Sequence, residues 1–123
     1  MKACLTVDDS KVVRKFAVKI IEQLGFKPLE ACDGKEALEV CSKEMPACIL
    51  LDWNMPVMDG MQFLKEFRAR SDSGGVIIIF CTTENDMSKI QTAIAAGANE
   101  YIMKPFDYDI VRDKFIQTRL IES

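Results

Sequence analysis

The chain has 123 residues, 49% of them hydrophobic and 28% charged, which suits one compact domain with a sizeable core and leaves little room for a second. It contains no histidine, which removes Ser-His-Asp and Cys-His catalysis, imidazole zinc sites and any phosphohistidine step carried by the chain itself. Sixteen Lys and Arg against nineteen Asp and Glu give a net charge of −3, so neither DNA nor RNA is expected as a direct partner.

The five cysteines, Cys4, Cys32, Cys41, Cys48 and Cys81, never fall as C-x-x-C and mostly sit inside apolar runs. They read as small buried hydrophobes in a reducing compartment. The longest apolar run, Val76 to Cys81, is far short of the roughly 20 residues a membrane helix needs. Asp8 and Asp9 come too early for a signal-peptide apolar region, so a cytoplasmic chain with no membrane partner is expected.

In chain order, Ala3 to Val7 reads as a strand, and Val13, Phe16, Ala17, Ile20, Ile21 and Leu24 then recur with helical period on one buried face. Gly25 ends that helix, and Phe26 to Cys32 is extended, with Pro28 suited to an edge strand. Asp33 and Glu36 form a capping box for a second helix that ends near Met45 and Pro46. Ala47 to Leu51 is a continuous apolar strand, followed by a loop from Asp52 to Met58 and a helix capped by Asp59 that carries Phe63, Leu64 and Phe67. After a break at Ser71 to Gly75, Val76 to Cys81 suits a strand buried on both faces. Met87, Ile90 and Ile94 mark a fourth helix closed by Gly97. Asn99 to Met103 is a fifth strand, and Asp107 caps a last helix with Ile110, Val111 and Phe115. Five βα units predict an α/β fold, a doubly wound five-stranded parallel sheet with helices on both faces.

In such sheets ligands collect at the carboxyl ends of the strands. There the sequence puts Asp8 and Asp9 after the first strand, Asp52 after the third, Thr82 after the fourth and Lys104 after the fifth. Singly, each has a structural explanation as a cap, a turn hydroxyl or a solvated charge. Together they form a hard-oxygen site in which three carboxylates need a proton or a cation, which favours Mg²⁺ over zinc or copper. The acidic DDSK loop argues against flavin or dinucleotide phosphates. A divalent ion beside an Asp and a Lys is equipment for phosphoryl transfer to a carboxylate, with Asp52 the best nucleophile and Asp8 and Asp9 suited to holding metal.

VDDS at the first strand end, LDWNMPVMDG around Asp52, the Thr82-Thr83 pair and YIMKPF resemble the receiver domain of two-component response regulators, over essentially the whole chain. The resemblance implies a flavodoxin-like strand order 2-1-3-4-5. It makes Asp52 the phosphoacceptor, with Mg²⁺ held by Asp8, Asp9, Asp52 and the carbonyl of Asn54. It also implies that Lys104 binds the phosphoryl group across a cis peptide to Pro105, and that Thr82 and Tyr101 act as switch residues. The DWNMP run, Asn54 and Glu84 look like the chemotaxis-type receivers, from which Thr83 departs by its bulk. The expected partners are a sensor histidine kinase or histidine phosphotransfer protein and a downstream target bound through the fourth helix, fifth strand and fifth helix, including Lys89, Tyr101 and Lys114. A monomeric single domain over residues 1–123 without an output domain is expected. Trp53 is expected to pack near the acids. Two rival readings stand beside this one: an aspartyl-phosphate hydrolase of the haloacid dehalogenase type, whose D-x-D-x-[TV] run DDSK lacks, and a degenerate receiver that binds without being phosphorylated.

Overall fold

The computed structural model describes residues 1–83 and 87–122. Five strands, β1 (Ala3–Val7), β2 (Lys27–Ala31), β3 (Cys48–Asp52), β4 (Ile77–Thr82) and β5 (Glu100–Met103), alternate with five helices. These are α1 (Lys11–Gln23), α2 (Gly34–Lys43), α3 (Gly60–Arg68), α4 (Met87–Ala95) and α5 (Tyr108–Gln117). The strands form one parallel sheet in the order β2-β1-β3-β4-β5. Pro28, which cannot donate to a ladder, therefore lies on an edge strand, as expected.

Alternate residues of the central strands feed two cores, because successive side chains point to opposite faces. Leu5, Val7, Ile49, Leu51, Ile78 and Phe80 pack with Ala37 of α2, Phe63, Leu64 and Phe67 of α3 and Ile90 and Ala93 of α4. Cys4, Cys48, Leu50, Ile79 and Cys81 face the other way, onto Ala17, Ile20 and Ile21 of α1 and Val111 and Phe115 of α5. Phe63 and Phe67 stack with ring centres 5.3 Å apart, and each fully buried ring contributes about 2–3 kcal/mol of transfer free energy.

Short polar side chains set where the helices begin. Asp33, Asp59 and Asp107 each accept a hydrogen bond from the backbone N–H three residues on, at 2.8–2.9 Å, a contact worth about 1 kcal/mol per helix. Glu36 reaches back to the N–H of Cys32 at 3.1 Å, the reciprocal half of the predicted box displaced by one residue. Gly25 and Gly97 follow α1 and α4 with φ of +86° and +120°, the left-handed stop a side chain would resist.

Four of the apolar residues that mark helices by their periodicity, of which Phe16 is expected on a buried face, lie off the buried faces. Phe16, Met87, Ile94 and Ile110 are 48%, 58%, 42% and 40% exposed. α4 buries Ile90 and Ala93 instead, and α5 buries Val111 and Phe115. Phe16 turns to the rim of the sheet, where its ring meets Phe106 at 6.1 Å. Of the cysteines, all unpaired, Cys32 alone is not buried. Among the described residues, no helix is long and apolar enough to cross a membrane.

Candidate functional site

The parallel sheet brings the ends of β1, β3, β4 and β5 to one rim. Asp8 follows β1 and continues its ladder, donating its N–H to the carbonyl of Ala31 at 3.1 Å. Its Oδ1 accepts from the N–H of Ser10 at 2.9 Å, so the carboxylate is locked against the loop that opens α1. Asp52 is the last residue of β3, buried and paired in register with Cys81. A Cβ at Gly60 would strike the carbonyl oxygen of Asp52, and the Gly60 N–H donates to Trp53 at 3.0 Å. Only a glycine lets α3 start this close to the strand end.

Asp8, Asp9 and Asp52 each offer a carboxylate oxygen, and these oxygens lie within 4.8 Å of one another. Asp8 and Asp52 are buried; Asp9 is exposed. Lys104 reaches in from the end of β5 and donates to Asp8 Oδ2 at 2.6 Å and to Asp52 Oδ1 at 2.9 Å. Its N–H is held by the Thr82 carbonyl at 2.8 Å, and the Lys104–Pro105 peptide is cis, as the resemblance implied.

The electrostatics follow from this crowding. Burial pushes the Asp52 carboxyl above its ordinary value; the Lys104 hydrogen bond and charge pull the other way, while the charges of Asp8 and Asp9 add to the rise. Burial disfavours the Lys104 ammonium, yet its hydrogen bonds to Asp52 and Asp8 outweigh that and raise it above the ordinary lysine value. Both partners of one ion pair are raised, Asp52 chiefly because it is buried and Lys104 because its single ammonium bonds two carboxylates. Three carboxylates against one ammonium leave two negative charges in the cup. All the donors are hard oxygens, so the set fits a small divalent cation such as Mg²⁺.

Thr82 is buried at the end of β4. Asn54 is exposed in the β3–α3 loop, and Glu84 lies outside the described residues. Thr83 is exposed and lines a cleft of about 470 Å³ with Val12, Val13, Phe16, Pro105 and Phe106 beside Lys104. Trp53 packs edge-on against Phe80, with ring centres 4.7 Å apart, next in sequence to Asp52. Tyr101 on β5 is half-buried. The Lys114 ammonium stands 5.5 Å from its ring centre and 3.0 Å from Glu100 Oε1.

Residues 4–115 match the response regulator receiver domain family. The chain belongs to that family. It is 38% identical over 112 residues to a chemotaxis protein CheY homolog of Campylobacter jejuni, covering 89% of this chain and 86% of the relative. It is 36% identical over 109 residues to sporulation initiation phosphotransferase F of Bacillus subtilis, covering 89% and 86%. Among solved structures, the chemotaxis response regulator CheY4 of Vibrio cholerae superposes with a TM-score of 0.90 at 33% identity, covering 96% of this chain and 98% of that one.

In this receiver domain the fold unites Asp8, Asp9, Asp52 and Lys104 directly, and sets Thr82 on the neighbouring strand end. One residue at the site escaped the sequence reading. Arg14, on the first turn of α1, donates from Nη1 to the Asp8 carbonyl at 2.6 Å and from Nε to Glu30 Oε1 at 3.2 Å. The available signal was a cation beside the apolar stripe of α1, which by itself reads as a solvated charge.

Proposed function

We propose that this receiver accepts a phosphoryl group on Asp52 from the phosphohistidine of a sensor kinase or phosphotransfer protein, and passes the signal to a target protein through its α4–β5–α5 face. The observation that carries this is Lys104 bridging Asp8 and Asp52 within a cup of three carboxylates. With no histidine of its own, the chain depends on a partner for the phosphohistidine.

In this reading Lys104 takes Asp52 Oδ1, and the other carboxylate oxygen attacks phosphorus in line. The bond from phosphorus to the donor's imidazole breaks as the new P–O bond forms, and the departing imidazole keeps the electron pair and takes up a proton. Lys104 then neutralises part of the charge on the transferred oxygens. Asp8, Asp9, Asp52 and the Asn54 carbonyl are the residues that would hold Mg²⁺, which when bound supplies the remaining charge neutralisation.

Phosphorylation would give Thr82 a strong acceptor, draw the end of β4 toward Asp52 and change the room available to Tyr101. The reading of a regulator acting in chemotaxis is supported by the likeness to CheY proteins over most of their length.

The deciding experiment is the intact mass after incubation with Mg²⁺ and acetyl phosphate. One added phosphoryl group, released by hydroxylamine and missing in Asp52→Asn, is expected. A wild-type mass that never changes, a label that persists in Asp52→Asn, or many turnovers of phosphate ester would overturn the receiver chemistry.

A further inference from the structure

We propose that Arg14 is a positioning residue for the acidic cup, holding the main chain of Asp8 from behind so that the Asp8 and Asp9 carboxylates face Asp52. The inference rests on the reading of those acids as the holders of Mg²⁺.

Each polar atom of Asp8 has a partner. Its N–H meets Ala31, Oδ1 meets Ser10 and Oδ2 meets Lys104. Its carbonyl accepts from Arg14 at 2.6 Å, as short as the Lys104 contact. Three of these partners belong to the strand ladder, the start of α1 and the site itself. The fourth is a long side chain, only 16% exposed, whose guanidinium is also tied through Nε to Glu30 of β2. A guanidinium can grip two acceptors at once in a fixed plane, which an ammonium cannot. The carbonyl of Asp8 is thereby fixed between α1 and the edge strand, and the backbone turn that carries both acids is fixed with it.

A merely electrostatic part for Arg14 makes the opposite prediction. A cation beside the cup repels Mg²⁺, so removing it by charge alone would tighten metal binding. Loss of positioning weakens it. The sign of the change therefore separates the two.

The test is Mg²⁺ affinity, followed by Trp53 fluorescence and checked by calorimetry, at a temperature where melting curves show every variant folded. Arg14→Met is expected to bind Mg²⁺ about tenfold more weakly, the usual effect of removing a group that orients a metal ligand. Arg14→Lys keeps the charge and one donor and should fall between. Glu30→Gln, on an exposed side chain, should weaken binding less than either. Unchanged or tighter binding in Arg14→Met overturns the inference. Should that variant not fold, wild-type affinity in Arg14→Lys overturns it equally. No Mg²⁺ response in the wild type would overturn the metal reading and this inference with it, whereas an undiminished response in the variants removes the inference alone.

Discussion

At the scale of single residues, the cup is a local instability kept in place by the surrounding fold. Asp52 is buried, and burial and two neighbouring acids raise its pKa despite the Lys104 contact. A carboxyl raised on folding is most compatible with the native state below its unfolded pKa, and that stability is lost as pH rises through the folded value. Asp52→Asn should therefore stabilise the protein at neutral pH by about 1 kcal/mol, the scale of relieving one unfavourable charge, and the advantage should shrink in acid. The same physics predicts that Mg²⁺ raises the wild-type melting temperature and raises that of Asp52→Asn less, because a ligand bound by the native state stabilises in proportion to its affinity. Thermal melts with and without Mg²⁺ at two pH values check both parts. Equal Mg²⁺ shifts in the two proteins would show that Asp52 takes no part in holding the ion.

At the scale of elements, the β3–α3 loop is where local preference and the site conflict. Val57 is 76% exposed and has φ of +67°, a left-handed conformation that a β-branched residue adopts only under constraint. The constraint is visible on either side: the Met58 carbonyl accepts from Gly34 at 3.0 Å, and Gly60 is fixed against Asp52 and Trp53. Val57→Gly should raise stability by about 1 kcal/mol in urea unfolding, since its side chain is largely solvated; a loss would mean that the loop relies on contacts of that side chain. The sequence reading located this loop but not its strain, because nothing in DWNMPVMDG reveals which residue must turn left-handed. It also found the helices while misjudging their width. Periodicity locates an apolar stripe, but whether Phe16, Met87, Ile94 or Ile110 at its edge is covered depends on how far the neighbouring helix extends. Asp8, Asp9, Asp52 and Lys104 were legible because a parallel sheet gathers strand ends whatever the details of packing. Arg14 was not, since its role depends on a contact between a helix and the loop before it.

For the whole molecule, two helices on one face and three on the other leave the central strands without a wet side, and four of the five cysteines share that burial. Cys4 and Cys48 are register neighbours on β1 and β3, with Cys81 on the same face of the sheet, and Cys41 lies in the opposite core. Burial pushes the Cys41 thiol up to about 11 and also raises those of Cys48 and Cys81. Unfolded thiols ionise near pH 8.5, so above that point the unfolded chain sheds protons that the folded chain retains. Stability must then fall as pH rises, by about 1.4 kcal/mol per pH unit for each such thiol while the folded form stays protonated. For Cys41 that window runs from roughly pH 8.5 to its folded value of about 11. Cys41→Ala should cost about 1 kcal/mol at neutral pH through the small void it leaves. In exchange, its stability should decline less steeply between about pH 9 and 10.5, by close to one proton's worth of slope. Urea unfolding of both proteins across that range measures the difference directly. Parallel pH dependences would mean that the Cys41 thiol meets water in the native state, and that the core beneath α2 is looser than its packing indicates.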